Sequence, residues 1–200
     1  LPSFNNIIYM PKIITDFHIH SKYSHATSKF MDLEALSVWG QLKGIGLMGT
    51  GDFTHPEWQK ELYDQLDPAE GNLWQLKPEL KQKVDSLVHT SCKADQLFML
   101  SGEISTIFKR NGKCYRVHSI LLAPNFEPVF KITAKLAKLG NLVHDGRPIL
   151  GMDVKDLLKI VLDASPDCML IPAHIWTPWF GLLGSKSGFN SLEAAFEELR

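Results

Sequence analysis

The sequence predicts an α/β fold, a largely parallel sheet or barrel flanked by helices, on three observations. Short apolar runs of strand length recur along the 200 residues. Longer segments of helical periodicity separate most of them, the alternation that strand–helix–strand crossovers produce. No repeat, low-complexity tract or long linker breaks the chain, and its length suits one domain of roughly 100–200 residues.

The first strand-like run covers residues 13–17. A helix follows from Asp32, placed to cap it, with apolar positions at Leu33, Leu36 and Val38. The run 45–48 leads to helical patterns over about 56–66 and 78–88. Runs 97–100 and 117–122 flank Lys109-Arg110-Asn111-Gly112-Lys113, whose Asn-Gly pair marks a tight hairpin. Its three cations read as a solvated turn in preference to a grip on a nucleic-acid backbone. Helical patterns over about 126–139 and 153–164 bracket a Gly-rich loop at 140–151. A last run, 169–171, enters a Pro-containing loop at 172–178, and a final helix begins near Ser191. Trp39, Trp58 and Trp74 read as packing residues, and His89 and His144, which follow no strand, as surface residues.

Hydrophobic residues make up 44% and charged residues 22%, which excludes a disordered chain. No apolar run approaches the ~18 residues a membrane helix needs, and no secretion leader is visible. A cytoplasmic location with no membrane partner is therefore expected. The three cysteines form no CxxC pair and are expected to be reduced, small buried residues. A net charge of -1 gives no sign of a basic nucleic-acid surface, although bound divalent cations would add charge that a residue count misses. Met10 opens the phrase Met10-Pro11-Lys12-Ile13-Ile14, so residues 1–11 are read as an extension and 12–200 as the domain.

The chemistry starts at Asp16-Phe17-His18-Ile19-His20. Residues two apart share a strand face, which would point Asp16, His18 and His20 together and Phe17 and Ile19 the other way. Alone, His-x-His is more often two partly exposed histidines than a metal site. The other candidates change the balance. Asp52 follows the run 45–51, His55 lies three residues on, Glu103 ends 97–102, His118 lies in the next strand and His174 ends 169–173. These positions cluster where strands end, the face on which β/α barrels build active sites. Imidazoles and carboxylates suit zinc, manganese or iron. So many ligands suit two or three divalent metals, which can clamp a phosphoryl group and so favour phosphate-ester hydrolysis over acyl transfer. Gly44-Ile45-Gly46 lacks a third glycine and opens a strand, which argues against a dinucleotide fold.

Phe17-His18-Ile19-His20-Ser21, Gly51-Asp52-Phe53-Thr54-His55, Gly102-Glu103-Ile104 and Pro172-Ala173-His174 resemble the PHP (polymerase and histidinol phosphatase) superfamily of metal-dependent phosphoesterases. Tyr23-Ser24-His25-Ala26-Thr27-Ser28-Lys29, Asp145-Gly146-Arg147-Pro148-Ile149-Leu150-Gly151 and His174-Ile175-Trp176-Thr177-Pro178-Trp179-Phe180 are similar to its endonuclease Q-like, helicase-associated branch. The likeness runs from about residue 12 to 200.

This resemblance implies a distorted (β/α)7 barrel with metals at its mouth and an endonuclease that cuts DNA at deaminated bases, in DNA repair. By motif, His18 and His20 would hold one metal, Glu103 would bridge metals, and His118 and His174 would hold another. Asp52 and His55 fall in the second motif and are expected, one or both, to reach a metal. Asp52, His55 and Glu103 are the catalytic candidates. His25 stands where the branch usually has a basic residue, and either contacts phosphate or has no role. Arg147 either contacts phosphate or pairs with Asp145 or Asp153, and Trp176, Trp179 and Phe180 either stack on a base or pack the loop. No late Asp-x-His motif and no cysteine-rich zinc region follow His174. The five or six strand-like runs fall short of seven, so the chain is expected to resemble an N-terminal part with an incomplete barrel and an exposed sheet edge open to self-association. A small-molecule phosphatase of histidinol-phosphatase type, and an inactive metal- or DNA-binding fragment, are the alternatives.

Overall fold

The computed structural model describes residues 12–25 and 27–199, so the extension read at 1–11 lies outside the described residues. In chain order the elements are β1 (Thr15–Asp16), α1 (Leu33–Lys43), β2 (Leu47–Gly49), α2 (Pro56–Gln65), β3 (Leu66–Pro68), β4 (Trp74–Leu76) and α3 (Pro78–Leu87). Then come β5 (Leu97–Arg110), β6 (Lys113–Ala123), α4 (Phe126–Leu136), β7 (Ile149–Leu150), α5 (Val154–Ala164), β8 (Met169–Pro172) and α6 (Leu192–Phe196). Local chemistry sets many of these boundaries. The Asp32 carboxylate accepts from Ala35 N at 2.8 Å to start α1, and Gly44, at φ +69°, closes it. Pro56 and Pro78 occupy the first turns of α2 and α3, where a missing N–H costs nothing. Asn111 and Gly112 both have positive φ, as a two-residue hairpin turn requires.

β1, β2 and the start of β5 pair in parallel, with Thr15 beside Leu47 and Leu47 beside Leu97. Past Leu100, β5 forms a long antiparallel ladder with β6, which pairs antiparallel with β8. The sheet is therefore mixed, with a larger antiparallel part than the strand–helix alternation suggests. It curls into a half-barrel around β5. Among the described residues β1 pairs only with β2 and β8 only with β6, leaving the curl open on one side.

The main core lies between sheet and helices and includes Leu33, Phe53, Trp58, Leu62, Phe98, Leu121, Ile132 and Leu157. A second cluster of Phe108, Val117, Leu182, Phe189 and Phe196 fastens the later loop against the β5–β6 hairpin. Arg110 strengthens this join: its Nε donates to Asp153 at 2.9 Å, and its guanidinium also reaches the Ala194 and Ala195 carbonyls. Arg110 is thus an internal fastener and not the solvated turn residue that its neighbours suggest. Lys113 is likewise engaged, donating to Gly188 O at 2.8 Å.

Three further expectations change. Trp39 is 55% exposed instead of packed, whereas Trp58 is buried and donates to Gly51 O at 2.8 Å. Cys168 is buried, but Cys114 is exposed, and all three cysteines are free. β1 ends at Asp16, so strand alternation does not extend to His20. The Asp16 carboxylate accepts from His18 N, and Asp16 lines a groove together with Ile19, Met31 and Trp39, so Asp16 and Ile19 share a side that strict alternation would have separated. Among the described residues no helix is long and apolar enough to cross a membrane.

Candidate metal centre

The site is organised around Glu103, 1% exposed, on the face of β5 that also carries Ser101 and Ser105. Its partner on β6 is Ile120, which puts His118, two residues away, on the same face. Four imidazoles surround the carboxylate in two groups. His18 Nε2 and His20 Nε2 stand 3.3 and 3.0 Å from Glu103 Oε2. His118 Nδ1 and His174 Nε2 stand 2.9 and 3.8 Å from Glu103 Oε1, and 3.3 Å from each other. Each set of three residues brings one ligand atom apiece within 4.8 Å of the others, and Glu103 belongs to both.

The contacts are short, yet none is aligned as a hydrogen bond to Glu103. Both oxygens of this buried carboxylate are without a hydrogen-bond partner. The carboxylate therefore rests on ion-pair contacts with the imidazoles in place of aligned hydrogen bonds, an incomplete compensation for a buried charge. A cation would satisfy both oxygens, and a donor set of imidazoles with one carboxylate suits zinc, manganese or iron. The residues present therefore fit divalent metals.

A second layer aims the first. The Asp52 carboxylate, fully buried, meets His20 Nδ1 at 2.9 Å and accepts from Ser21 N and Oγ at 2.6 and 2.7 Å. Asp52 is thus filled by His20 and Ser21 and belongs to neither group of three. A carboxylate behind an imidazole fixes its tautomer and leaves the other nitrogen bare. Asp52 has φ +50° and follows Gly51 at φ +66°, a backbone region that costs energy for any residue but glycine. A Cβ at Gly51 would come 2.7 Å from Ile19 O, so the β2 loop closes tightly on the histidine loop. Gly146 packs as closely on the other side, where a Cβ would drive into the Asp52 carboxylate.

His55 lies outside both groups. Its Nε2 contacts Val143 O at 3.1 Å and its ring stacks on Tyr23 at 4.3 Å. It thereby holds the 140–151 segment, where Gly146 N donates to Tyr23 O and Ser105 N to Pro148 O. That segment carries Arg147 to the cluster, with Nη1 3.6 Å from Glu103 Oε2 and a buried Nε without a partner. The Arg147 guanidinium turns to Glu103 and not to the Asp145 or Asp153 expected from the sequence: Asp145 accepts from the Arg147 backbone N–H at 3.2 Å, and Asp153 is taken by Arg110. His25 is exposed, with Nδ1 3.7 Å from Asp145 and its ring against His144.

In the loop after His174, Trp176 and Trp179 are 78% and 52% exposed, and the Arg116 guanidinium lies over the Trp179 ring at 5.4 Å. Phe180 instead packs on the His118 ring at 4.4 Å. Ser21, Val143 and Thr177, which bonds the far side of His174, did not stand out in the sequence. The signals available were slight: Ser21 directly follows His20, and Thr177 lies one turn beyond His174.

The electrostatics differ across the cluster. Burial lowers the His20 pKa, but Asp52 and Glu103 outweigh it and raise it from 6.5 to about 9. Burial would raise the pKa of Glu103, yet His118, His18 and His20 hold it well below the usual carboxylate range. His174 is pushed below its ordinary value by burial and by His118.

No family model matches the sequence. Uncharacterized protein MJ0043 of Methanocaldococcus jannaschii is 30% identical over 178 residues, 88% of this chain and 18% of that protein. Among solved structures, the lesion-specific endonuclease PfuEndoQ from Pyrococcus furiosus superposes with a TM-score of 0.73 at 28% identity, over 94% of this chain and 40% of its own. Endonuclease Q in complex with a 27-mer duplex carrying an abasic lesion at the active site gives a TM-score of 0.72 at 28% identity, over 93% of this chain and 40% of its own. The chain thus spans about two fifths of the endonuclease Q chains and under a fifth of MJ0043. Its fold is an endonuclease Q-like PHP fold, a partial distorted barrel.

Proposed function

We propose that this chain carries the metal-holding part of a lesion-specific DNA endonuclease, with Glu103 shared between two divalent metals. The observation that carries the reading is the buried Glu103 carboxylate, with two imidazoles facing each of its oxygens. The likeness to endonuclease Q supports damaged DNA as substrate. Deaminated bases such as uracil or hypoxanthine, and a cytoplasmic setting that suits the free cysteines, are the finer parts of the proposal.

His18 and His20 would hold one metal with Glu103, and His118 and His174 the other. Metals bound there supply Lewis acidity toward a phosphoryl group. Asp52 positions His20 and holds its Nδ1 proton, acting through the imidazole. Arg147, whose Nη1 reaches Glu103, would turn the remainder of its planar fork to a phosphate oxygen. His55 acts one step further out, by anchoring the loop that carries Arg147. Trp176 and Trp179 present exposed faces on which a base can stack, with His25 as the outermost contact across the mouth. The exposed Ile13 and Ile14 near β1, and Met169 and Ile171 on β8, support self-association at the open side of the curl.

The test is incision of duplex oligonucleotides holding one uracil, hypoxanthine or abasic site, with zinc or manganese supplied. Cutting confined to a lesion supports the reading. Equal cutting of undamaged duplex, or phosphate release from small esters alone, contradicts it.

A further inference from the structure

We propose that Thr177 is a positioning residue: its hydroxyl fixes the His174 ring with the proton on Nδ1 and leaves Nε2 bare toward Glu103 and His118. The assignment rests on the metal reading only for its purpose, because the tautomer is a property of the metal-free chain.

The argument is a count of protons. A threonine hydroxyl offers one proton and two lone pairs. Three groups lie 2.9 Å from Thr177 Oγ1: His174 Nδ1, His174 O and Trp179 O. Carbonyl oxygens only accept, so a hydroxyl that donated to the ring would leave both carbonyls facing its lone pairs at 2.9 Å. Donation to one carbonyl leaves nothing for the ring and makes His174 Nδ1 the donor, the assignment that satisfies more of the three contacts. A neutral imidazole has a single N–H, so Nε2 keeps its lone pair. That is the atom 3.8 Å from Glu103 Oε1 and 3.3 Å from His118 Nδ1.

The arrangement repeats, with different chemistry, what Asp52 does for His20 across the cluster. It is also more than a turn. The backbone bond from Thr177 N to His174 O, 2.9 Å, closes the turn without any side chain. The hydroxyl adds a brace where one is needed, because His174 has φ +31°, in the left-handed region. Gly181 crowds the same turn, where a Cβ would come 2.6 Å from Thr177 O, so the brace sits in a loop with little room to drift. Through Trp179 O the hydroxyl also ties the proposed metal ligand to the loop bearing the exposed tryptophans.

The test compares the parent chain with Thr177→Val, which keeps the shape and removes the hydroxyl, and Thr177→Ser, which restores it. Nitrogen-15 imidazole spectra of the metal-free proteins, with His174 assigned through His174→Gln, report the tautomer. Calorimetric titration with zinc alone reports affinity, and melting temperatures check the fold. The parent is expected to carry Nδ1–H at His174. Thr177→Val is expected to shift toward Nε2–H and weaken one of two zinc-binding events by about 10–100-fold, as loss of an outer hydrogen-bond partner does. Thr177→Ser should restore both readouts. An Nε2–H ring in the parent overturns the assignment, and so does a folded Thr177→Val whose ring spectrum matches the parent's. A parent that takes up no zinc overturns the metal reading instead, and the ring spectrum still decides for or against Thr177.

Discussion

On one side of Glu103, His20 is held by a buried carboxylate, Asp52, itself filled by Ser21. On the other, His174 is held by the neutral hydroxyl of an exposed threonine in a strained turn. Both devices point an imidazole Nε2 at the same carboxylate. The two rings hold their protons differently. Asp52 and Glu103 raise the His20 pKa to about 9, whereas burial and His118 push His174 below its ordinary value. The two proposed metal positions therefore compete differently with protons, and Glu103 is what they share.

That shared role gives the largest expected effect. Glu103→Gln should abolish both metal-binding events together, an affinity loss beyond the roughly 10–100-fold of an outer-layer change. Loss of one event alone, read by calorimetry, would break the picture of a common bridge. Asp52→Asn should act on one side only. It removes the charge behind His20 and should weaken that event about 10–100-fold while leaving the His118–His174 event in place.

The third expectation is a pH split. In the metal-free chain the raised His20 pKa contributes stability that is fully present below about 6.5 and is lost as pH rises through about 9. The lowered Glu103 pKa contributes stability present above about 4.5 and lost as pH falls toward its folded value. Melting temperature should then be highest between these limits and fall from pH 6.5 to 9. Metal uptake on the His20 side must displace a proton over that range, so its affinity should climb with pH, while the His174 side changes little. Parallel pH profiles for both events would contradict the asymmetry. The smallest effect lies at the rim. Trp179→Ala should leave metal content and melting temperature unchanged and weaken binding of lesion-bearing DNA by about 1–3 kcal/mol, measured by fluorescence titration.

Much of this frame was legible in the sequence, for reasons the structure makes plain. Asp32, Ser191 and the Asn111-Gly112 pair act locally, so their cap and turn chemistry can be read without tertiary context. The apolar pattern marks only residues 97–100 of β5, because Ser101, Glu103 and Ser105 interrupt it with buried polar groups, and Glu103 among them is the centre of the site. β3, β4 and β7, each two or three residues long, are too short for any periodicity to register. The ligand candidates were legible because histidines and acids sit next to strand ends. The second layer was not: Asp52 facing His20, His55 holding Val143 O and Arg147 reaching Glu103 are contacts between segments far apart in sequence. Strand alternation also misled at Asp16, since β1 ends there and the histidines arrive on a loop.

Anomalous diffraction from crystals of this chain grown with zinc or manganese tests the central claim most directly. The account predicts two metal peaks flanking Glu103, one in contact with His18 and His20 and the other with His118 and His174. Peaks confined to other acidic surfaces, with Glu103 bound to no metal, would contradict it.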